Sequence, residues 1–409
     1  MDLKEFLKTS YTPFHATYNC ERMLLEAGFK KLSLAEKWKL VRGGKYYITK
    51  NESSVIAFVV GKTGDYAFNI AAAHTDSPCL RVKGKKLVDS VQGKRINVEV
   101  YGGLINYTIM DIPLKVAGRA MVANNGKLES KLVESACNVN IPSLAVHQNR
   151  GVNDGVKFEV QNDLLPLLGQ AEDVYSLFDE KNIVDADLFV VPDVEPFVSG
   201  AKGEFLCSPR IDNLTSVYSI INAICDCKGT GISVACCFDN EEVGSVTKQG
   251  ADSSLLRDVL FSINESLGHS QSEFCAACEK GMLLSVDNGH ATHPAHPEKS
   301  DVADKVLMGG GVVIKHNTNY STDAYSSAPL KMLLDKKKVK YQDFFCNSNL
   351  RSGGTVGLVV SSLLHMNACD IGLAQLAMHS AIETVALRDV EEMTKCCRAF
   401  YETNFNCEN

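Results

Sequence analysis

Glu241 and Glu242 stand side by side just after the apolar run Gly231-Ile-Ser-Val-Ala-Cys-Cys-Phe238. Two adjacent carboxylates at the end of a buried strand are costly to desolvate unless a cation shares the site. The pair makes chemical sense when one carboxylate holds a metal ion and its neighbour moves a proton on the water that the ion activates. The pattern recurs. His74 and Asp76 follow Ala67-Phe-Asn-Ile-Ala-Ala-Ala73, Asp287 follows Met282-Leu-Leu-Ser-Val286, and His379 follows Ile371-Gly-Leu-Ala-Gln-Leu-Ala-Met378. Apolar segments that each end in a metal-competent residue predict the carboxyl ends of neighbouring strands in one α/β sheet, where such folds place their sites. The chemistry predicted is that of a two-metal hydrolase.

Zinc takes histidine nitrogen and carboxylate oxygen, and a catalytic site keeps one position open. His74 is a first ligand, with Asp76 placed to hold its ring by a hydrogen bond. Asp212, in Ser208-Pro-Arg-Ile-Asp-Asn213, stands just before a helix and is the candidate bridge between two ions. Glu242 is a ligand of the second ion, and Asp287 and His379 complete the two sets. Glu241 is then the general base, a role that needs a pKa raised by a partly dry pocket. Each residue also has a plainer reading: Asp212 as a helix N-cap, the glutamate pair as a solvated loop, His379 as a satisfied core histidine. Their convergence carries the metal reading.

Composition narrows the classes. A chain of 409 residues with 45% hydrophobic and 22% charged residues is long enough for two domains and ordinary for a globular protein. A net charge of −7 without a Lys/Arg stripe gives no footprint for nucleic acid. The cluster Lys336-Lys-Lys-Val-Lys340 reads as a solvated face or turn. The first eight residues read as an amphipathic helix, not a signal peptide, and no run is long and apolar enough to span a bilayer. The 15 cysteines are odd in number and scattered, so they predict reduced, mostly buried thiols and a cytoplasmic location. Cys275-Ala-Ala-Cys278 lacks the second pair that a zinc site would need.

The elements that must position these residues follow from periodicity. Residues 14–25 predict a helix closed by Gly28, and strands follow at 45–49, 55–60 and 68–73. From about 81 to 194 the runs are short and alternating, with Asn124-Asn-Gly126 as a hairpin turn. Helix and strand then alternate: helices at 212–225, 253–262, 324–334 and 380–401, and strands at 232–238 and near Leu283 and Val312. The prediction is an α/β fold: a three-layer α/β/α catalytic domain, residues 1–80 with 198–409, interrupted by a mainly β insertion at 81–197.

Several motifs, in order along the chain, resemble the aspartyl aminopeptidase and vacuolar aminopeptidase I family of dizinc metallopeptidases. They are Thr12-Pro-Phe-His-Ala16 with Ala27-Gly-Phe29, Ala73-His-Thr-Asp-Ser-Pro78, Ile141-Pro-Ser-Leu-Ala-Val-His147, Ser208-Pro-Arg-Ile-Asp-Asn-Leu214 and Asp239-Asn-Glu-Glu-Val-Gly-Ser245. Asp287 to His293, Val313-Ile-Lys-His-Asn317, Gly353-Gly-Thr-Val-Gly357 and Met378-His-Ser380 continue the match. The resemblance implies one zinc on His74 and Asp287, a second on Glu242 and His379, Asp212 bridging, Glu241 as base and Asp76 as orienter; related sites also accept cobalt or manganese. It implies short peptide substrates with a free N-terminus and a homo-oligomer, a tetrahedral dodecamer, in which the histidine at the position of His147 reaches a neighbouring active site. The family motif holds a lysine at Lys315, which would favour acidic first residues if it faces the pocket and is a surface residue if not. His290, His293, His296 and His316 crowd the same region, where they read as loop residues near the substrate in preference to ligands of extra metal. The chain departs from the pattern in three places. The segment Tyr101-Gly-Gly-Leu-Ile-Asn-Tyr-Thr-Ile-Met-Asp-Ile-Pro113 keeps the glycines without the tryptophans, Asn288-Gly289 replaces Met-Ala, and Arg351-Ser352 replaces Pro-Cys. Two other readings stay open on sequence: a dizinc deacylase or carboxypeptidase, with Arg210 or Arg351 taking a carboxylate, and a non-catalytic oligomeric scaffold.

Overall fold

The computed structural model describes residues 1–62 and 66–405. Strands Ile232–Phe238, Phe68–His74, Met282–Val286 and Ala368–Gly372 lie side by side and parallel at the centre of a nine-stranded sheet. Every residue of these four strands is buried, so they read as continuous apolar runs because both faces are covered. Alternate side chains serve different layers. Ala71, Ala73, Ala235, Cys237 and Leu284 join a core with helices Pro13–Glu26, Ile211–Cys225 and Leu387–Tyr401. Ile70, Ala72, Val234, Cys236 and Leu283 face the other way, onto Leu255–Ser266, Gln271–Glu279 and Val356–Leu364. The result is the three-layer α/β/α arrangement, with antiparallel neighbours Ser54–Val60 and Val312–His316 flanking the parallel centre.

A second sheet of six antiparallel strands has a core of its own, built on Leu80, Val98, Val116 and Val190. Its hairpin between Leu114–Asn124 and Lys127–Glu134 turns on Asn125 and Gly126, at φ 48° and 78°. Both central residues in the left-handed region are what a two-residue turn matched to the strand twist demands.

A third sheet was not foreseen from the sequence. It has five short strands in the order Phe197–Ser199, Phe205–Ser208, Glu383–Ala386, Ala374–Leu376 and Gly289–His290. It also corrects the expected helix over 380–401, which begins only at Leu387. Residues 383–386 instead pair antiparallel with Phe205–Ser208, and the β-branched Thr384 and Val385 suit that pleated surface. The run before His379 likewise divides: the central strand ends at Gly372, and Ala374–Leu376 belongs to the small sheet.

All described cysteines are free, most are buried, and Cys275 and Cys278 lie on the helix Gln271–Glu279. Among the described residues no helix is long and apolar enough to cross a membrane.

Candidate metal centre

The carboxyl ends of the four central strands converge. The parallel register pairs Phe238 with His74, which sets the loop 239–244 beside the imidazole. That loop turns sharply through Asn240 at φ 65° and Gly244 at φ 97°, with a single 3-10 turn over Glu241–Val243 between them. Asp287 leaves the end of Met282–Val286. The other two residues arrive from the small sheet. Asp212 follows Phe205–Ser208 through Arg210 at φ 59°, and His379 follows Ala374–Leu376 with φ 66° of its own.

The distances are uniform. His74 Nε2 lies 3.6 Å from Asp212 Oδ1 and 3.5 Å from Asp287 Oδ1. His379 Nε2 lies 3.5 Å from Asp212 Oδ2 and 3.5 Å from Glu242 Oε1. These separations are long for hydrogen bonds but near the roughly 3.3 Å edge of a tetrahedron whose metal–ligand bonds are about 2.0–2.1 Å. The two oxygens of Asp212 thus face one histidine each, the arrangement of a bridging carboxylate. Asp212 Oδ1 is buried and has no hydrogen-bond donor among the described residues, which suits an atom that takes a cation. Among the described residues three groups could hold an ion: His74 with Asp212 and Asp287, Asp212 with Glu242 and His379, and His74 with Glu241 and Glu242. The donor set fits zinc.

Electrostatics point the same way. Burial pushes the Glu241 carboxyl up to about 7, with Asp287, Asp76 and Asp212 adding to the rise and His74 opposing it. Burial also pushes Glu242 up to about 10, reinforced by Asp212. Burial works against charge on His74, yet the carboxylates of Asp212, Asp287 and Asp76 around it hold it well above its ordinary value. Burial would raise Asp212 too, but His379 and His74 hold it well below the usual carboxylate range. These shifts have one cause: a surplus of buried carboxylates that requires positive charge in its midst, which divalent cations supply.

Both histidines are oriented by main chain. The Nδ1 of His74 lies 3.1 Å from the Asp76 carbonyl and 3.4 Å from its carboxylate, so the carbonyl is the nearer partner. The Asp76 carboxylate accepts instead from the backbone N–H groups of Glu241 and Glu242, both at 3.1 Å, and from the Tyr101 hydroxyl at 2.7 Å. It therefore fixes the glutamate loop more than the ring. The Nδ1 of His379 donates to the Gly103 carbonyl at 3.1 Å, which leaves Nε2 as the atom facing Asp212 and Glu242.

The sequence reading missed the roles of Tyr101, the Gly102-Gly103 pair, Glu383 and Asn288. Tyr101 and Gly102-Gly103 come from the six-stranded sheet, and a Cβ on Gly102 would lie 3.0 Å from that of Glu242. Only the double glycine hinted at this close approach. Glu383, 2% exposed, accepts the backbone N–H groups of Asp212 at 2.9 Å and His379 at 2.7 Å. An acid in an apolar run was its sole signal. Asn288, also buried, ties Ile211, Thr215 and Gln375 together through its amide, so it replaces an apolar residue with a hydrogen-bonded node.

The remaining candidates are dispersed. Lys315 is no surface lysine: it is 1% exposed, with Nζ 3.6 Å from Asp287 Oδ2 and donating to the Asn288 carbonyl. His147 is exposed within 142–148 and belongs to none of the three groups. Neither do His290, His293, His296 or His316. Arg210 is buried and donates to the Pro192 and Leu7 carbonyls, which removes it from any substrate carboxylate.

Known proteins resemble this chain in sequence and in fold. Residues 6–177 and 174–401 match the family described as aminopeptidase I zinc metalloprotease (M18). A probable M18 family aminopeptidase 2 of Clostridium novyi (strain NT) is 38% identical, covering 98% of this chain and 98% of the relative. A chain from the cryo-EM structure of the Ape4 and Nbr1 complex superposes with TM-score 0.93 at 30% identity, over 97% of this chain and 84% of that one. The structure of the S. cerevisiae mApe1 dodecamer gives TM-score 0.84 at 23% identity, over 97% and 95%. With the family's match spanning both the central and the inserted sheets, the chain belongs to the M18 aminopeptidases and is a zinc-dependent metallopeptidase.

Proposed function

We propose that the chain binds two zinc ions and removes the first residue of short peptides with a free N-terminus. The observation that carries this is Asp212, whose two oxygens each face the Nε2 of a different histidine. His74 and Asp287 hold one ion, Glu242 and His379 the other, and Asp212 bridges. When bound, the ions supply Lewis-acid polarisation of the scissile carbonyl and a water of lowered pKa. Glu241 is the general base: it takes a proton from the attacking water and gives it to the leaving amine. Burial and the neighbouring acids raise its carboxyl, and bound cations would oppose part of that rise. Asp76 fixes the Glu241 and Glu242 backbones and, through its carbonyl, the tautomer of His74. Cobalt or manganese can replace zinc in such a nitrogen and oxygen site.

The side chain of the first residue fits a cavity of about 260 Å³ that opens between His290, three residues past Asp287, and Ala377, two before His379. Its lining includes Lys299 and Arg351 and no Asp or Glu. Neither cation makes an ion pair among the described residues, so an acidic side chain would meet unneutralised charge there. This supports a preference for acidic first residues, set by Arg351 and Lys299 at the far end. Lys315 lies behind Asp287 and acts through it.

The six-stranded sheet serves as an insertion, over 81–197, that both completes the site and builds a homo-oligomer. A solved relative of the same fold is a dodecamer. In such an assembly His147, exposed on 142–148, reaches the pocket of a neighbouring copy.

The test is hydrolysis by zinc-loaded protein of matched peptides beginning with Asp, Glu, Leu or Lys, each as free amine and as N-acetyl form. Cleavage of the free amines alone, fastest for Asp or Glu, is expected. Cleavage of N-acetyl peptides, or of none, overturns the proposal.

A further inference from the structure

Glu383 opens the central strand of the five-stranded sheet, between the two strands that feed Asp212 and His379 into the site. Each of those strands leaves the sheet through left-handed residues: Arg210 at φ 59° on one side, Ala377 at φ 55° and His379 at φ 66° on the other. Such conformations are costly for a non-glycine residue and persist only where the surroundings fix them. Asp212 is buried, and regular helix does not begin until after Asn213, so its N–H has no helical acceptor. The N–H of His379, just past left-handed Ala377, likewise takes its acceptor from a side chain. The two oxygens of one carboxylate meet both needs, at 2.9 and 2.7 Å. No other side chain ties these two turns together by hydrogen bonds among the described residues.

The choice of a charged acceptor is informative. Glu383 is 2% exposed and lies one N–H away from Asp212, itself a carboxylate in a crowd of carboxylates. For folding alone, a second buried negative charge there is a poor choice, because like charges in low dielectric repel. With divalent cations held by Asp212 and His379, the same charge would become favourable. Charge-assisted bonds also hold both ligand backbones more firmly than neutral ones.

We infer that Glu383 is a positioning residue of the zinc centre: it sets the bridging carboxylate of Asp212 against the imidazole of His379 by gripping both backbones. The inference rests on the two-ion reading above. Its effect falls on the ion held by Asp212, Glu242 and His379 more than on the ion held by His74 and Asp287, since His74 and Asp287 come from central strands that Glu383 does not touch. A carboxamide keeps the shape but presents an NH₂ to one of the two N–H groups, so one grip is lost. An aspartate is one methylene short and reaches only one of them.

The test is zinc binding to the full-length chain, by chelator competition and by metal analysis, for wild type, Glu383→Gln and Glu383→Asp. Melting is followed in parallel across a series of buffered free-zinc concentrations. The expected result is two ions in wild type, with one ion weakened about 10- to 100-fold in both variants, the scale for losing an outer partner of a ligand. The gap between the melting curves of wild type and Glu383→Gln should widen as free zinc rises and the weaker site fills, because ligand stabilises only the form that binds it. Activity of the variants should recover at high zinc. A Glu383→Gln chain that binds both ions as tightly as wild type overturns the inference. So does one whose melting is lowered equally at every zinc concentration, which marks a purely structural acceptor. Fewer than two ions in wild type would instead overturn the two-ion reading itself, whatever the variants do.

Discussion

Replacing Gly103 by alanine adds one methyl group, and the structure says where it goes. A Cβ built on Gly103 lies 2.9 Å from His379 Nδ1 and 3.4 Å from Cε1. Its backbone, unlike that of Gly102 at φ 71°, is outside the left-handed region, so alanine meets no conformational penalty and the perturbation is steric alone. Carbon needs about 3.5 Å from such a neighbour, so the ring must retreat by roughly 0.6 Å. It then leaves the Gly103 carbonyl that now fixes its tautomer at 3.1 Å. A zinc ligand tolerates displacement of only about 0.2 Å. The ion on His379 should therefore bind roughly 10- to 100-fold more weakly. The peptidase kcat/KM should fall by up to about 10²-fold, the scale for a misplacement approaching 1 Å. Zinc affinity by chelator competition and hydrolysis across a zinc series read both quantities, and the ion on His74 and Asp287 serves as the internal control. If Gly103→Ala binds two zinc ions with unchanged affinity and cleaves at the wild-type rate, then His379 does not hold an ion in the way described.

Three other outcomes are expected. Glu241→Gln should lower kcat by roughly 10²- to 10⁴-fold while both ions and KM are retained; a loss confined to metal content would make it a ligand and not the base. Arg351→Ala should lower the Asp-to-Leu ratio of kcat/KM by about tenfold without changing cleavage of the Leu peptide, and an unmoved ratio rules Arg351 out as the selector. His15 carries the pH prediction. Burial, with Arg210 and Lys115 near, lowers its pKa from 6.5 to about 4, and Glu134 at 3.8 Å does not reverse this. The unfolded chain then takes up a proton near 6.5 that the folded chain refuses until about 4, so stability falls as pH drops through that window. The loss approaches about 3 kcal/mol from this group at about 1.36 kcal/mol per pKa unit. Denaturant midpoints at pH 7.5 and 4.5 should fall more steeply for wild type than for His15→Gln; equal slopes would refute the assignment.

The parts of this fold legible in the sequence are those where one physical signal dominates. Strands such as Phe68–His74 and Ile232–Phe238 are buried throughout, so their apolar runs announce them, and chemistry-bearing residues stand at the ends because the strand ends there. The Asn124 to Gly126 turn was legible because only a few residues adopt its backbone. The small sheet was not. Its strands are two to four residues long, too short for any period to show, and they are defined by partners far away, as Ser208 is by Glu383. Tertiary pairing there overrode a helical reading of 380–386. The work of Asp76 was hidden for a related reason. Spacing suggests that a residue two after His74 holds its ring, but spacing does not reveal whether carbonyl or carboxylate does so. Once the carbonyl takes the ring, the carboxylate is free to hold the glutamate loop. Lys315 was equally opaque, since a lysine at a strand end is normally exposed and this one is compelled inward by Asp287.

The three sheets divide the labour in a way that explains the left-handed residues around the centre. The central sheet supplies His74, the glutamate loop and Asp287; the small sheet delivers Asp212 and His379; the inserted sheet contributes Tyr101 and the Gly103 carbonyl. No single sheet can place both histidines against one aspartate, because strands of one parallel sheet end on a common line while Asp212 must be approached from both sides. The chain therefore has to arrive from two directions, and the loops that make those approaches turn too tightly for ordinary backbone. Arg210, Asn240, Ser245, Ala377 and His379 are the non-glycine residues that take left-handed conformations there. Their strain is local, and it is met by the hydrogen bonds of buried acids: Asp76 on one loop, Glu383 on the other two. Those acids are themselves unfavourable without cations, so the backbone geometry, the outer carboxylates and the zinc-binding set form one mutually dependent arrangement. Removing any member should be felt as weaker metal binding before it is felt as loss of fold.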